Sequence, residues 1–498
     1  MAIAPLLAAT TAFIQRAPRM LIGAHWTEAG DGQTMPLRNP ATGEQLCLVP
    51  RATVDDVDRA VLAARQAFDD SPWTRTRPRE RQNLLWKLAD LMQRDAELLA
   101  QLECLNNGKS AAVAQAMDVQ LSIDFLRYMA GWATKIEGSS VEVSLPLMPD
   151  DQFHSFIRRE AVGVVGAIVA WNFPLLLACW KLGPALATGC TVVVKPAELT
   201  SLSALRFAEL VEEAGIPAGV INIVSGRGSV IGAAMAAHPG IDKLSFTGST
   251  PVGRTVGRAA LDDMKRLTLE LGGKSAVLVL ADADLRAAAE AVANGVFFNS
   301  GQVCDAGTRA YIHHSIYDAF LDELIAYTRT LKVAPGLDPD CFISPLVSAQ
   351  QKQRVSEYIE IGKGEGAQLV YGGQPLEGPG YFVEPTIFAH CRNDMRIVQE
   401  EIFGPVLVTA PFDDDEQALA LANDSLYGLA AAIYSNDLGR VHSLIPRLRA
   451  GSVYVNAHST IDPAMPFGGY KLSGFGKDLG PEQLDHLMET KAVWITLP

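Results

Sequence analysis

Between residues 160 and 280 the sequence alternates short β-branched runs with amphipathic segments of helical length. The successive pairs are VGVVGAIVAW and LLLACWKLGPALATG, TVVVK and SALRFAELVEEAG, GVINIVSG and SVIGAAMAAH, and KLSFTG and STPVGRTVGRAAL. Continuous apolar runs of strand length are typical of parallel strands that helices cover on both faces. The pattern therefore predicts a doubly wound α/β sheet, in which ligands bind at the carboxyl ends of the strands.

A second alternation begins after residue 272 with SAVLVL, a helix near 284–298, a Gly- and Ser-rich loop, and RAYIH. Two segments belong to neither unit. Residues 138–160 alternate like a hairpin around polar turns, and residues 484–498 end in an apolar strand. Because bare edge strands invite pairing, we expect these two segments to pair across the subunits of a homo-oligomer.

Length and charge narrow the class of protein. At 498 residues the chain is too long for one simple core, so two or three domains are expected. The net charge of −14, without a basic block, argues against nucleic acid or an anionic membrane as the main partner. Seven cysteines at irregular spacings, with no CxxC pair and no metal-ligand spacing, indicate reduced thiols in a cytoplasmic protein without a metal site.

Two apolar stretches could be mistaken for targeting or membrane segments. The N-terminal stretch lacks a basic region before its apolar part, so we expect a loose arm; it also lacks acidic residues, which leaves a transit peptide as the alternative. Residues 162–180 are nearly long enough to span a bilayer, but Asn172 and Pro174 interrupt them. We predict a buried strand, a turn and the start of a helix in this segment.

The strand ends of the first unit carry residues suited to a dinucleotide. A carboxylate just past the second strand typically holds ribose hydroxyls, and glycines at a strand-to-helix turn let the backbone approach a phosphate. Any one of these glycine turns could equally be an ordinary connection, but together they favour a dinucleotide ligand. The residues are Asn172 after the first strand, Lys195 and Glu198 after the second, Gly226, Gly228 and Gly232 after the third, and Gly248 and Ser249 after the fourth.

Two reactive side chains lie near the junction of the units. Glu270 ends an apolar run, where a raised pKa would suit a general base, although a partly exposed strand-end glutamate is the alternative. Cys304 lies in FFNSGQVCDAGTR, where a buried structural cysteine is the alternative to an exposed nucleophile. Because one predicted helix separates the two residues, we expect both at the same strand-end cleft.

The motifs WNFPL, VVVKPAE, FTGST, ELGGKS, FFNSGQVC, EEIFGPV and PFGGYKLSGFG occur in this order. Together they resemble the aldehyde dehydrogenase superfamily over nearly the whole chain. The resemblance implies NAD(P)-dependent oxidation of an aldehyde to a carboxylic acid. It also implies an NAD-binding domain of residues 1–137 and 161–271, a catalytic domain of residues 272–475, and a small β oligomerisation domain of residues 138–160 and 484–498 in a dimer or tetramer.

The resemblance implies a covalent mechanism. Cys304 attacks the aldehyde carbon to give a thiohemiacetal, while Glu270 takes the thiol proton and later activates the water that hydrolyses the thioester. The Asn172 amide and the backbone N–H of Cys304 hold the oxyanion, and Lys181 helps to relay protons away from Glu270. The presence of Glu270 as a base argues for hydrolysis rather than acyl transfer to CoA.

NAD is the cofactor that the resemblance implies. Glu401 holds the nicotinamide ribose and Phe403 packs near the nicotinamide, while Glu198 favours NAD over NADP because a carboxylate repels a 2′-phosphate. The full set of implied cofactor-binding residues is Trp171, Lys195, Glu198, Gly228, Gly232, Phe246, Gly248, Ser249, Glu401 and Phe403.

Aromatic residues flank the implied substrate pocket, namely Phe173, Trp180, Phe298 and Phe467. Together they suggest an apolar funnel, although core packing is the alternative for each alone. No Arg or Lys in these motifs is placed to grip the carboxylate of a semialdehyde. The segments TKIEGSSVEVSLPL and VNAHSTIDPAMPFGGYK are most similar to bacterial phenylacetaldehyde dehydrogenases, so phenylacetaldehyde is the expected substrate. The alternatives are a broad-range aliphatic or amino-aldehyde dehydrogenase and, remotely, a non-enzymatic oligomer that reuses the fold.

Three residues depart from the family's pattern. Asp305 follows the nucleophile where a small or uncharged residue is common, and its carboxylate would raise the pKa of Cys304 if it faced the thiolate. Lys477 and Asp478 stand where Arg and Glu are common, so the charges are retained.

Overall fold

The computed structural model describes residues 5–148 and 150–497. The α-helices are α1 Ala8–Gln15, α2 Val54–Asp69, α3 Pro78–Arg94, α4 Ala96–Asn107, α5 Ala111–Val113, α6 Leu121–Trp132, α7 Pro174–Thr188, α8 Leu202–Ala214, α9 Ala233–Ala237, α10 Thr250–Asp262, α11 Leu285–Phe297, α12 Tyr317–Thr328, α13 Ala349–Gly364, α14 Arg396–Gln399, α15 Asp415–Asn423 and α16 Leu438–Leu444. The strands are β1 Met20–Ile22, β2 His25–Thr27, β3 Thr34–Arg38, β4 Gln45–Pro50, β5 Ser139–Ser140, β6 Phe153–Ala161, β7 Val164–Ile168, β8 Thr191–Lys195, β9 Ile221–Ile223, β10 Lys243–Thr247, β11 Arg266–Glu270, β12 Ala276–Val279, β13 Arg309–His313, β14 Gln368–Tyr371, β15 Thr386–Ala389, β16 Val406–Phe412, β17 Tyr427–Gly428, β18 Ala430–Tyr434, β19 Ser452–Val455, β20 Tyr470–Lys471, β21 Gly474–Phe475 and β22 Met488–Thr496.

The first sheet has the strand order β2-β1-β9-β8-β7-β10-β11-β21. Its five inner strands, from β9 to β11, are parallel, as the alternating apolar runs predicted. The chain builds outward from β7 through β8 and β9, and then returns to the other side of β7 to add β10 and β11. The strand order therefore reverses between β7 and β10, and a crevice at such a point is where a doubly wound sheet binds its ligand. The prediction of a doubly wound α/β fold is confirmed.

The second sheet has the order β14-β15-β16-β13-β12-β18-β19, and its strands from β15 to β19 are parallel. Between β12 and β13 the chain forms α11, whose apolar face packs on the sheet together with that of α12. The loop that returns from α11 to β13 carries Cys304. The predicted boundary at residue 475 assigned residues 474–475 to this second unit. They instead add β21 to the first sheet, antiparallel to β11.

A third, smaller sheet has the order β22-β6-β5. It joins the two segments that fitted neither unit, because β22 pairs antiparallel with β6 from Met488 opposite Ala161 to Thr496 opposite Phe153. The two segments therefore pair with each other within one chain, and their pairing across the subunits of a homo-oligomer stays a prediction. The outer strand still exposes apolar side chains, including Trp494, which is 53% exposed.

The N-terminal arm, expected to be loose, forms α1 in the part that the structure describes; residues 1–4 lie outside it. Phe13 is buried, and the Thr10 hydroxyl donates a hydrogen bond to the Gln101 side chain at 2.8 Å. The segment 162–180 forms β7, a turn and the start of α7, as predicted. Every residue of α7 is buried, and a helix that is apolar all round belongs in a core. Among the described residues, no helix is both long and apolar enough to cross a membrane.

Candidate active site

A cavity of about 490 Å³ is lined by the carboxyl-terminal ends of β10 and β11 together with the loop after α11. It brings together residues that are far apart in the sequence. The predicted site residues that line it are Trp171, Asn172, Phe173, Trp180, Gly248, Ser249, Glu270, Phe298, Cys304, Glu401, Phe403 and Phe467. Those that do not line it are Lys181, Lys195, Glu198, Gly228, Gly232 and Phe246.

The loop before Cys304 has an unusual backbone conformation. Asn299, Ser300 and Gly301 adopt the left-handed region in succession, with φ values of 48°, 55° and 71°. Such a run is unfavourable for residues with side chains and persists only where the surroundings hold it. The Ser300 hydroxyl donates to the Ser344 carbonyl at 2.6 Å, and a side chain at Gly301 would collide with the Gly404 carbonyl. The loop is therefore fixed where it presents the cysteine to the cavity.

Cys304 differs from the other cysteines of the chain. It is partly exposed to the cavity, whereas the remaining six are buried. Burial of its surroundings raises the pKa of the Cys304 thiol well above its usual value, and the nearby carboxylates of Asp305, Glu401 and Glu270 raise it further. The thiol therefore needs a base to remove its proton before it can act as a nucleophile.

Asn172 lies four residues after the end of β7 at Ile168, and it lines the same cavity. One N–H of its amide donates to the Gln302 carbonyl at 3.1 Å, which leaves the second N–H as a donor for a ligand atom. The backbone carbonyl of Asn172 accepts hydrogen bonds from the Lys109 ammonium at 2.7 Å and from the Asn299 amide at 3.3 Å. The loop before Cys304 therefore holds both the side-chain amide and the backbone carbonyl of Asn172, and Lys109 also holds the carbonyl.

Lys109 belongs to a buried ionic cluster that the sequence did not reveal. Its ammonium lies 2.6 Å from the Asp118 carboxylate and 4.0 Å from the centre of the Phe173 ring. Nearby, Glu103 accepts a hydrogen bond from the Leu175 backbone N–H at 3.0 Å, and burial raises the pKa of the Glu103 carboxyl. The cluster therefore holds the turn from Asn172 to Leu175 at its backbone and at one aromatic ring.

We expect Lys109→Met to lower both stability and activity. Removing one partner of a buried ion pair leaves an uncompensated charge and costs about 3–5 kcal/mol of unfolding free energy. The Asn172 carbonyl also loses its donor, so kcat should fall even in the folded fraction. Denaturant unfolding and steady-state rates measure the two effects.

The control for this substitution is Lys109→Met combined with Asp118→Leu, which removes both charges. Since replacing both partners of a buried pair is often nearly neutral, stability should recover in the double variant while kcat stays low. Recovery of full activity with stability would contradict a role for Lys109 in positioning Asn172.

Glu270 ends β11 and points into the cavity wall, where it is only 4% exposed. Within the described part of the chain, neither of its carboxylate oxygens has a hydrogen-bond partner. Burial raises the pKa of Glu270 well above its usual value, and repulsion from Asp478 adds to this, while Lys181 and Lys477 oppose it. A buried carboxylate without partners and with a raised pKa is suited to accept a proton.

Lys181 does not reach the cavity surface but lies one side chain behind it. Its ammonium pairs with the Asp478 carboxylate, which does line the cavity and which also accepts a hydrogen bond from the Gln483 amide at 2.9 Å. The charges retained at Lys477 and Asp478 are therefore part of the surroundings of Glu270.

The predicted ribose-binding residues form a separate cluster at the end of β8. Glu198 is exposed, and its carboxylate accepts a hydrogen bond from the Gly228 backbone N–H at 2.8 Å. The buried side chain of Lys195 runs past Gly228 and Gly232, where a Cβ atom would come within 3.9 and 3.7 Å of it. Burial lowers the pKa of Lys195 to about 8, and its ammonium donates to the Pro196 carbonyl at 2.8 Å. A carboxylate and a neighbouring ammonium at this strand end suit the hydroxyls of a ribose.

Phe246 is buried beneath this surface rather than exposed on it. A Cβ atom at Gly248 would lie 2.6 Å from the Phe246 ring, so the ring supports the glycine turn from below. Its ring makes a packing contact, and its contact with a cofactor stays a prediction.

Glu401 and Phe403 form another part of the cavity wall. The Glu401 carboxylate accepts a hydrogen bond from the Gly273 backbone N–H at 3.0 Å, and burial raises its pKa to about 7. Phe403 has a φ of 61° and meets the Trp171 ring edge-on with the ring centres 5.1 Å apart. An aromatic and a carboxylate side by side offer a stacking surface and an acceptor for hydroxyl groups.

The remaining wall is mainly apolar and aromatic. Phe173 stacks against Phe298 with ring centres 6.3 Å apart, and Trp180 lies 5.5 Å from Phe467. The sequence did not single out several further lining residues, because isolated apolar positions give no signal of their own: Met117, Leu176, Leu177, Val303 and Ile461. This end of the cavity suits an apolar or aromatic group.

Comparisons with known proteins agree with this arrangement. A sequence profile described as the aldehyde dehydrogenase family matches residues 26–493. A phenylacetaldehyde dehydrogenase of Pseudomonas fluorescens is 47% identical over 96% of this chain and 95% of its own length. The NAD+ complex of an aldehyde dehydrogenase from Bacillus cereus has a TM-score of 0.97 and 43% identity, covering 100% of both chains. An indole-3-acetaldehyde dehydrogenase of P. syringae has a TM-score of 0.94 and 42% identity, covering 98% of this chain and 99% of the other.

The family profile matches more than nine-tenths of the sequence. The matched range contains the residues that the fold brings together in one cavity. The chain therefore belongs to the aldehyde dehydrogenase family.

Proposed function

We propose that the protein oxidises an aryl-substituted aldehyde such as phenylacetaldehyde to its carboxylic acid, with NAD as the oxidant. The observation that carries the proposal is the meeting of Cys304, Glu270 and the Asn172 amide in one cavity whose remaining wall is aromatic. Similar chains named for phenylacetaldehyde and indole-3-acetaldehyde support an aryl group on the substrate.

NAD fits the polar groups along the strand ends. When bound, it supplies the oxidation by accepting a hydride from the substrate carbon. Lys195 and Glu198 would hold the adenosine ribose, and Glu401 would hold the nicotinamide ribose beside Phe403. A carboxylate at Glu198 disfavours the 2′-phosphate of NADP. The similar Bacillus cereus enzyme was solved as an NAD+ complex, which supports the same cofactor here.

The first chemical step is attack of the Cys304 sulfur on the aldehyde carbon. Because the thiol pKa is raised, Glu270 takes the proton, either directly or through one water molecule. The carbonyl oxygen becomes an oxyanion, and the second N–H of Asn172 and the backbone N–H of Cys304 stabilise it. Their positions are held by the Gln302 and Lys109 contacts, so little reorganisation accompanies the step.

After loss of the hydride, the acyl group remains on Cys304 as a thioester. Glu270 first passes on the proton that it took from the thiol. Ionised again, it removes a proton from water, the hydroxide attacks the thioester carbon, and the sulfur that leaves takes a proton back from Glu270 as the acid is released. Asp478 and Lys181 lie next to Glu270 and can take the proton onward. Hydrolysis in this form requires a general base at the site, which favours it over acyl transfer to CoA.

The proposal also includes residues 1–137 and 161–271 as the NAD-binding domain, 272–473 as the catalytic domain, and the small β sheet as an assembly surface for a dimer or tetramer in the cytoplasm. Exposed apolar side chains on and beside that sheet support the assembly surface, including Trp494, Ile495 and Leu147.

Initial rates of NADH formation test the proposal, with phenylacetaldehyde, hexanal and succinic semialdehyde as substrates. We expect the highest kcat/KM for phenylacetaldehyde. Trp180→Leu should lower that value by about tenfold, since one lost aromatic contact is worth on the order of 1–1.5 kcal/mol. A value for hexanal equal to that for phenylacetaldehyde would favour the broad-range alternative, and no NADH with any aldehyde would contradict the proposal.

A further inference from the structure

Asp305 follows the nucleophile and lines the cavity, and its carboxylate lies just behind the cavity surface, within hydrogen-bond reach of Tyr454. It is only 1% exposed, although the residues around it at this end are mainly aromatic and aliphatic. Burying a charged carboxylate is unfavourable unless hydrogen bonds or a cation compensate for the lost water. Among the described residues no lysine, arginine or histidine forms an ion pair with Asp305. Ion pairing therefore does not account for its burial.

Two residues hold Asp305 in place, Tyr454 in β19 and His458 in the loop after it. The Tyr454 hydroxyl lies 3.2 Å from its carboxylate, and the His458 ring donates from Nε2 to its backbone carbonyl at 2.8 Å. The imidazole fits between Gly295 and Gly307, where a Cβ atom would come within 3.0 Å of the ring on either side. Burial and the neighbouring carboxylate raise the pKa of Tyr454, so its hydroxyl stays a donor. The carboxylate is thus fixed in position rather than free to turn away.

The segment that holds Asp305 continues into the aromatic part of the wall. Ser459 and Ile461, directly after His458, line the cavity, as does Phe467 further along. Asp305 therefore lies on the side of Cys304 that would hold the acyl group, not on the side of Glu401 and Phe403.

The charged residues that line the cavity are mostly acidic. Among the described residues that line it, the acidic ones are Glu270, Asp305, Glu400, Glu401 and Asp478, and the one basic residue is Arg354. Arg354 donates to the Glu401 backbone carbonyl at 2.6 Å, which places it at the end away from the aromatic rings. Along the described lining, the acyl end has a carboxylate and no cation.

We propose that Asp305 is a specificity determinant that excludes aldehydes carrying their own carboxylate, while neutral and cationic aldehydes are admitted. The proposal rests on the proposed function, because it concerns which aldehydes reach Cys304. The Lys109 ammonium behind the Phe173 ring is already paired with Asp118, so a second carboxylate in this low-dielectric wall would be repelled without a free counter-ion. The effect on kcat/KM should be on the order of 10- to 100-fold.

The test compares succinic semialdehyde with its methyl ester, which differ in charge but little in length. In the wild-type enzyme we expect kcat/KM for the semialdehyde to be at least about tenfold below that for the ester. In Asp305→Asn, which keeps an acceptor for Tyr454, the ratio of the two values should move towards one. Because both substrates react with the same nucleophile, any change in the reactivity of Cys304 cancels in the ratio.

Glu400→Gln serves as the matched control, because it removes a lining carboxylate beside Glu401, at the other end of the cavity. Its ratio should stay close to that of the wild type. An unchanged ratio in active Asp305→Asn would overturn the proposal. Equal kcat/KM values for the semialdehyde and its ester in the wild type would also overturn it, and this wild-type comparison does not depend on whether the variant folds. Failure of the proposed function is distinct, since neither the ester nor phenylacetaldehyde would then give NADH.

Discussion

Replacing Cys304 with alanine is expected to lower kcat for aldehyde oxidation by a factor on the order of 10⁴ or more. The sulfur forms the covalent bond to the substrate carbon, and none of the other six cysteines reaches the cavity. The substitution removes only a small side chain that is partly exposed, so the fold should be unchanged. NADH formation with phenylacetaldehyde measures the loss, and binding of NAD by fluorescence titration should be retained.

The matched control is Cys341→Ser. Cys341 is buried, lies outside the cavity, and donates through its sulfur to the Ala334 carbonyl at 3.1 Å, a bond that a serine hydroxyl can replace. Its kcat should stay within a few fold of the wild type. Full activity in Cys304→Ala, or an equal loss in both variants, would contradict covalent catalysis at Cys304.

Glu270→Gln is expected to lower kcat by about 10²–10⁴-fold, the usual contribution of a general base. The pH dependence follows from the direction of the pKa shift. Burial raises the pKa of Glu270, so the active carboxylate forms only as the pH rises well above 4.5, the usual value for this group. The wild-type kcat should therefore rise with pH as Glu270 ionises. This rise, the acidic limb of the pH profile, should disappear in the variant. Rates measured from about pH 5.5 to 9.5 reveal both.

The pH dependence of the unfolding free energy provides a second test of the raised pKa of Glu270. Since its folded-state pKa is raised, the neutral form is favoured in the folded chain, and that contribution to stability is lost as pH rises through the folded-state pKa. Glutamine stays neutral at every pH. The unfolding free energy of the variant minus that of the wild type should therefore increase as the pH rises. Glu357→Gln, exposed on α13, is the control and should change neither property. A variant that keeps both the activity and the acidic limb would contradict a role for Glu270 as the base.

The positions of the main site residues could be predicted because each follows the end of a strand or lies in a loop beside one. Asn172 and Glu270 directly follow or end buried apolar runs, and parallel strands bring those ends to one edge. Cys304 follows a single helix that returns to the same edge. Topology alone therefore placed these three in one cavity, whereas Phe246, one residue before a strand end, points into the core instead.

The supporting contacts could not be predicted, because they join segments that carry no mutual signal in the sequence. Lys109 reaches the Asn172 carbonyl across 63 residues, and nothing in NNGKS distinguishes it from an exposed lysine. Tyr454 reaches Asp305 across 149 residues in the same way. The pairing of β22 with β6 depends on backbone hydrogen bonds, which any two apolar strands can form, so the sequence indicated edge strands but not their partner.

The central claim, a covalent acyl intermediate on Cys304, is tested most directly by the mass of the protein. Glu270→Gln should form the thioester slowly and hydrolyse it more slowly still, so the intermediate should accumulate. Intact-mass measurement after mixing this variant with NAD and phenylacetaldehyde should show one added phenylacetyl group, and peptide mapping should place it on Cys304. A protein that turns over substrate without any added mass, or that carries the acyl group on another residue, would contradict the account.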